Sequence, residues 1–169
     1  MFDPQQCFTD LTIHGGYYFS AVDMAQKVDM SHVKWLEDTK NSTPFFWADR
    51  DEKLEEYMSM YTQLLRQVFS NLDVERMWYC NGVEDTSCPW HSDSLEEIDV
   101  SILCYLSDMS PEVGGYVAIR NLTTGNSVMY YPKFGDCLVL WHTKGFEHRA
   151  QPATIDRLYV NCTYKNARL

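Results

Sequence analysis

Two histidines, one aspartate and one arginine carry the chemistry this sequence can do. His91 and Asp93 stand two apart in Trp90-His91-Ser92-Asp93, so an extended backbone sets imidazole and carboxylate on the same side. His148 follows 57 residues later, beyond the apolar run Cys137 to Trp141 and a Lys144-Gly145 turn. Two imidazoles and one carboxylate cover one face of an octahedral ferrous ion, leaving the opposite positions open for a cosubstrate and dioxygen. Arg157 comes nine residues after His148, where a strand-like segment begins. A guanidinium stays charged at any working pH and grips a carboxylate through two parallel N–H bonds, which suits it to anchor the far end of a dicarboxylate. Each residue has an ordinary alternative. A lone histidine is commonly a hydrogen-bonded structural group, and Arg157 could form a surface pair with Asp156, for little gain. The joint spacing, rather than any single member, points to a metal site.

A scaffold must hold these groups still. From Val74 onward the sequence breaks into short segments rich in β-branched and aromatic residues, separated by Asn81-Gly82, Ser110-Pro111, Gly114-Gly115, Thr124-Gly125-Asn126, Gly135-Asp136 and Lys144-Gly145. Strands are expected near 74–80, 98–106, 115–121, 127–131, 136–142 and 157–164. In the last of them Leu158, Val160, Cys162 and Tyr164 oppose Arg157, Tyr159, Asn161 and Thr163. In the second, Val100, Ile102, Cys104 and Leu106 oppose Asp99, Ser101, Leu103 and Tyr105. Each therefore has an apolar face and a mixed one.

The first half has helical period. Leu54, Tyr57, Met58, Tyr61, Leu64, Leu65, Val68 and Phe69 recur at steps of three and four, behind Asp49 with Glu52 as a capping box, which predicts a helix of about five turns. Ser31 is expected to cap a shorter helix through Val33, Trp35 and Leu36, ending near Asn41 to Pro44. The fold class expected is mainly β with supporting helices (α+β). One domain spans 1–169, with helical support over about 1–72 under a β core over about 74–164.

Composition narrows the partners. The 169 residues carry 14 basic and 24 acidic side chains, a net charge of −10 that repels nucleic acid and anionic membrane alike. Hydrophobic residues at 45% and aromatics at 14% suffice for a packed core and are too many for a disordered chain. With no basic leader and no long apolar run, a cytoplasmic location is expected, and the six cysteines read as reduced thiols. Cys104, Cys137 and Cys162 fall in apolar strands and read as small core residues. His14, His32 and His142 lack partners at matching spacing and read as structural, with a pocket role for His142 as the alternative. Glu96, Glu97 and Asp99 read as a solvated acidic loop that would attract a basic peptide.

These residues resemble the iron(II)- and 2-oxoglutarate-dependent dioxygenases, in particular their prolyl-hydroxylase-like branch. The resemblance runs from about Tyr79 to Tyr164: Trp90-His91-Ser92-Asp93, Leu103-Cys104-Tyr105-Leu106, Gly114 to Ile119, Pro132 to Trp141, His148-Arg149-Ala150-Gln151-Pro152 and Asp156-Arg157-Leu158-Tyr159. It implies a double-stranded β-helix, a distorted jelly roll buttressed by the N-terminal helices. It implies that His91, Asp93 and His148 ligate Fe(II), that Arg157 and Tyr105 bind the distal carboxylate of 2-oxoglutarate, and that Tyr79 and Thr163 contribute to the pocket wall. It further implies O2 as oxidant, ascorbate as an accessory reductant, release of succinate and CO2, and hydroxylation of a prolyl residue in a peptide or protein. A free amino acid or small metabolite would use the same site. Iron, Asp93, 2-oxoglutarate and Arg157 together carry no net charge, which a partly buried pocket tolerates. The chain is short for this branch, so either the 81–90 or the 107–114 segment would form a lid, or none would.

Three rival readings remain. A zinc site on Cys80, Cys88 and His91 lacks the tight Cys-x2–4-Cys knuckles of structural zinc. A non-catalytic jelly roll used for binding or assembly would not need these four residues in register. Oxidative dealkylation of nucleic acid conflicts with the acidic charge.

Overall fold

The computed structural model describes residues 1–38, 45–93, 98–143 and 145–169. In chain order its elements are α1 (Pro4–His14), β1 (Gly16–Ser20), α2 (Val22–Ala25), β2 (Leu36–Glu37), β3 (Phe45–Asp49), α3 (Glu52–Leu65) and β4 (Asp73–Gly82). Then come β5 (Cys88–His91), β6 (Val100–Tyr105), β7 (Val117–Asn121), β8 (Ser127–Tyr130), β9 (Asp136–Trp141), β10 (Phe146–Ala150) and β11 (Arg157–Lys165).

The strands form two antiparallel sheets, one ordered β1-β9-β6-β11-β4-β3-β2 and a smaller one ordered β5-β10-β7-β8. Period-two alternation sorts the large sheet into two faces. Val100, Ile102 and Cys104 of β6, Cys137 and Val139 of β9, and Val160, Cys162 and Tyr164 of β11 pack under Leu54, Met58, Tyr61 and Leu65 of α3, with Cys7 and Leu11 of α1. On the other face Tyr105 and Leu138 meet Val117 and Ile119 of the small sheet. Helices, large sheet and small sheet make a layered double-stranded β-helix, and the mixed faces of β6 and β11 look into the space between the sheets.

The helical expectations need correction. α3 starts at Glu52, one residue after its cap: Asp51, not Asp49, takes the Leu54 amide on its carboxylate at 2.8 Å. Asp49 is still extended because Phe45–Asp49 pairs with β4. The helix stops at Leu65 after about four turns. No helix forms through Val33, Trp35 and Leu36. The Asp29 carboxylate takes both the backbone N–H and the hydroxyl of Ser31, closing a turn where a cap was expected, and Leu36–Glu37 then pairs with β3. The expected end of that helix, Asn41 to Pro44, lies outside the described residues. In its place stands α1, capped by Asp3 through the Gln5 and Gln6 amides, with Pro4 at its first position and Gly15 ending it at φ 77°.

The two segments proposed as lids are tied down. The Asp85 amide donates to Ala153 O at 2.9 Å and Met109 to Pro132 O at 2.7 Å, and Gly114 forms an antiparallel bridge with Ala153. Among the described residues no helix is long and apolar enough to cross a membrane.

Candidate metal and cosubstrate site

Cross-strand register builds the metal end. His148 of β10 lies directly opposite His91 of β5, with Ile119 of β7 on its other side. The two imidazoles consequently meet with ring centroids 4.1 Å apart. Asp93 follows the strand and closes the set: its Oδ1 is 3.3 Å from His91 Nε2 and its Oδ2 is 3.8 Å from His148 Nε2. One donor atom from each of the three lies within 4.8 Å of the others, and no other such group occurs among the described residues. Two imidazole nitrogens and a carboxylate oxygen suit ferrous iron, and the set fits that ion. His91 is prepared for ligation, since its Nδ1–H donates to the Pro89 carbonyl at 2.8 Å and turns Nε2 toward Asp93.

Without a cation the triad holds a proton. The Asp93 carboxylate, then the Cys88 thiol, push His91 up to about 11. Burial pulls the neighbouring His148 down to about 3 and His142 down to about 4. Burial would raise Asp93, but its bond to His91 and the surrounding imidazoles outweigh this and hold it at about 2.

Arg157 marks the other end of the same cavity, a space of about 140 Å³ whose lining includes His91, Asp93, His148, Ser101, Tyr105 and Arg157. On β11 the residues Tyr159, Asn161 and Thr163 stand opposite Tyr105, Leu103 and Ser101 of β6. Asp93 reaches the Ser101 end through His142, whereas Arg157 lies two residues beyond the Tyr105 end, six residues along β11 from Thr163, the partner of Ser101. Arg157 is buried, 5% exposed, and opposite it Gly82 leaves room for the guanidinium. Its Nη1 donates to Gln151 O at 3.1 Å, and no carboxylate among the described residues pairs with it. The Asp156 carboxylate, which a surface pair would have used, instead accepts from Asn81 Nδ2 at 3.1 Å. A buried cation without a counter-ion is costly unless an anion arrives. Tyr105, 1% exposed, lines the cavity, and burial raises its pKa above the usual range, so its hydroxyl stays a donor.

Neither of the two residues expected in the pocket wall lines the cavity. Tyr79 is on the opposite face of β4, in the core under the helices, where its hydroxyl donates to Asp51 Oδ1 at 3.0 Å. Pairing with Val160, a core-facing residue, puts it there. Thr163 is on the cavity side of β11, but it is 2% exposed and its hydroxyl turns to Arg76 O at 3.5 Å. His142, for which a pocket role was the alternative, stands beside the triad, its Nε2 2.6 Å from Ser101 Oγ and 3.6 Å from Asp93 Oδ2. Alternation supports that role, because His142, the residue after β9, continues the side of Leu138 and Leu140. The same rule singles out Ser101, Leu103 and Asn161 as lining. Cys88 had no such signal: a bulge between the His91 and Cys88 pairings turns both residues inward. Cys80 is buried in the sheet and does not join Cys88 and His91 in a zinc set. Glu96 and Glu97 lie outside the described residues.

Sequence comparison decides the family. A profile described as the 2OG-Fe(II) oxygenase superfamily matches residues 77–165, just over half of the chain. The chain belongs to that superfamily. Its members are enzymes that use Fe(II) and 2-oxoglutarate, and the triad and the Arg157 pocket fall inside the matched segment. No curated protein matches the sequence. Solved structures share the fold at low identity. A Trichoplax adhaerens prolyl hydroxylase in complex with a hypoxia-inducible-factor peptide fragment aligns at TM-score 0.78 and 15% identity, over 96% of this chain and 89% of that one. A Pseudomonas putida prolyl-4-hydroxylase gives 0.69 and 17%, over 96% and 98%. HygX from Streptomyces hygroscopicus, with nickel, 2-oxoglutarate and hygromycin B bound, gives 0.71 and 14%, over 95% and 86%.

Proposed function

We propose that this oxygenase hydroxylates a C–H bond of a prolyl residue in a peptide or protein, releasing succinate and CO2. The observation that carries the cosubstrate half of this reading is Arg157, a buried guanidinium with no carboxylate partner among the described residues, in the cavity that also holds the triad. In this reading His91, Asp93 and His148 hold the iron. Arg157 and the Tyr105 hydroxyl take the distal carboxylate of 2-oxoglutarate, while Leu103, Val117 and Leu140 line the cavity with apolar surface that excludes water. Bound together, iron and 2-oxoglutarate supply the activation of dioxygen, one oxygen atom entering succinate and the other the substrate.

The peptide half is supported by what lies beside the cavity. Trp78 of β4 pairs with Asn161, and Trp47 of β3 pairs with Cys80, so both indoles share the cavity's face of the sheet. The exposed Arg76 guanidinium stacks between them, 4.8 Å from the Trp78 ring and 5.2 Å from Trp47. A shelf of this kind would support a chain longer than one amino acid, and the Trichoplax relative holds a peptide. A small-molecule substrate is the second reading, supported by the antibiotic in HygX.

Succinate release from Fe(II), 2-oxoglutarate and ascorbate under air tests the choice, with proline-containing peptides set against free amino acids. Peptide-dependent release with one oxygen added to a prolyl ring is expected. Release driven only by free amino acids or small metabolites would overturn the peptide reading, and His91→Ala must be silent throughout.

A further inference from the structure

Three imidazoles face the Asp93 carboxylate among the described residues, and only two belong to the triad. The third, His142, is held on every side. Its backbone N–H donates to Asp99 O at 2.8 Å, continuing the pairing of β9 with β6. Its side chain is 1% exposed, and its Nε2 lies 2.6 Å from the hydroxyl of Ser101, itself 2% exposed. From that position the same Nε2 stands 3.6 Å from Asp93 Oδ2. It does not reach the atoms that the triad groups together, so it is not a further ligand.

A carboxylate that gives a cation one oxygen leaves its other oxygen to be satisfied, and the partner of that oxygen decides how the group is turned. Asp93 needs such a partner more than its companions do. His91 and His148 ride on paired strands, whereas Asp93 lies beyond the end of β5.

Resting on the iron-site reading above, we propose that Ser101 and His142 form a positioning pair. Ser101 Oγ accepts the Nε2–H at 2.6 Å and clamps the imidazole, whose polar edge then stands 3.6 Å from Asp93 Oδ2, outside hydrogen-bond distance, where its dipole sets which carboxylate oxygen is offered to the metal. His142 touches neither cosubstrate nor reacting atoms in this scheme; it acts through Asp93.

Co(II) binding to the metal-free protein tests this, followed by quenching of tryptophan fluorescence, since Trp90 adjoins His91, and by the visible absorption of the bound ion. His142→Phe keeps the ring and removes the N–H. It should raise the Co(II) dissociation constant about 10–100-fold and alter the visible spectrum at saturation. His142→Gln, which restores a donor, should recover much of the loss. A residue that only filled space would shift the thermal midpoint and leave affinity and spectrum of the folded protein alone. Should His142→Phe fail to fold, Ser101→Ala leaves the imidazole in place but unclamped, and must weaken Co(II) in the same direction. Wild-type affinity and spectrum in the folded variants would overturn the positioning pair while leaving the site intact. Undiminished Co(II) binding by His91→Ala, or none by the wild type, would overturn the site itself and the pair with it.

Discussion

Replacing Arg157 by alanine should uncouple 2-oxoglutarate from metal binding. The guanidinium is 5% exposed and spends one N–H on the Gln151 carbonyl at 3.1 Å, leaving the rest of its fork for a ligand. Two charge-assisted hydrogen bonds to a carboxylate, at about 1.5–3 kcal/mol each, put the loss at roughly 3–6 kcal/mol. Since about 1.4 kcal/mol is tenfold, 2-oxoglutarate affinity should fall by roughly 100-fold or more, toward the low end because the Tyr105 hydroxyl persists. Calorimetric titration of 2-oxoglutarate into Mn(II)-loaded protein reads this directly. 2-Oxobutyrate, which lacks the distal carboxylate, closes the cycle: it should bind wild type and variant alike, so that the whole effect resides in the pair. Metal affinity should not change. The metal-free variant should melt no lower than wild type, because an unpaired buried cation costs free energy. A 2-oxoglutarate affinity within about threefold of wild type, or an equal loss for 2-oxobutyrate, would refute the assignment.

Other consequences are independent of the cosubstrate. Tyr79→Phe should cost about 1 kcal/mol in urea unfolding by deleting its bond to Asp51, with 2-oxoglutarate affinity unchanged; weaker cosubstrate binding would return Tyr79 to the pocket. Asp51→Ala should cost about 1 kcal/mol through the lost cap, and Asp51→Asn much less. Burial opposes ionisation of Asp51, yet the Leu54 amide, His32 and Tyr79 hold its carboxyl below the ordinary value. Its stabilisation is then complete above the unfolded pKa and lost as pH falls through the lower folded one, so wild type and Asp51→Asn should converge in acid unfolding curves. Gly114→Ala places a methyl 2.6 Å from Pro152 O at φ +80°, and should cost about 2–4 kcal/mol by denaturant titration. Of six cysteines only Cys88 is not buried, so a thiol reagent should label one residue in native protein and six after unfolding.

What could be read from the chain follows the physics of each element. Strands with alternating faces were legible because β6 and β11 must bury one side under the helices, and their other side lines the cavity. The grouping of His91, Asp93 and His148, with Arg157 in the same cavity, was legible from their spacing and from the family resemblance. β5 and β10, which carry His91 and His148, were not recognised as strands: Cys88-Pro89-Trp90-His91 is short, starts beside a proline and contains a bulge, and Phe146 to Ala150 holds three consecutive polar residues, Glu147, His148 and Arg149, without alternation or an apolar run. α1 has only Cys7 and Leu11 buried, too few to show a period, though Asp3-Pro4 and Gly15 marked both ends. Tyr79 was misplaced because β4 carries aromatic residues on both faces, so that only its pairing with Val160 shows which way it points.

The central claim is that one cavity binds Fe(II) at His91, Asp93 and His148 and 2-oxoglutarate at Arg157 together. Anaerobic addition of Fe(II) and then 2-oxoglutarate to metal-free protein tests it most directly, because the iron chelate of the 2-oxo acid absorbs in the visible. The account predicts a band that requires both additions, is absent in His91→Ala, and saturates only at much higher 2-oxoglutarate in Arg157→Ala. Folded wild-type protein that develops no band, or His91→Ala that develops the same one, would contradict it.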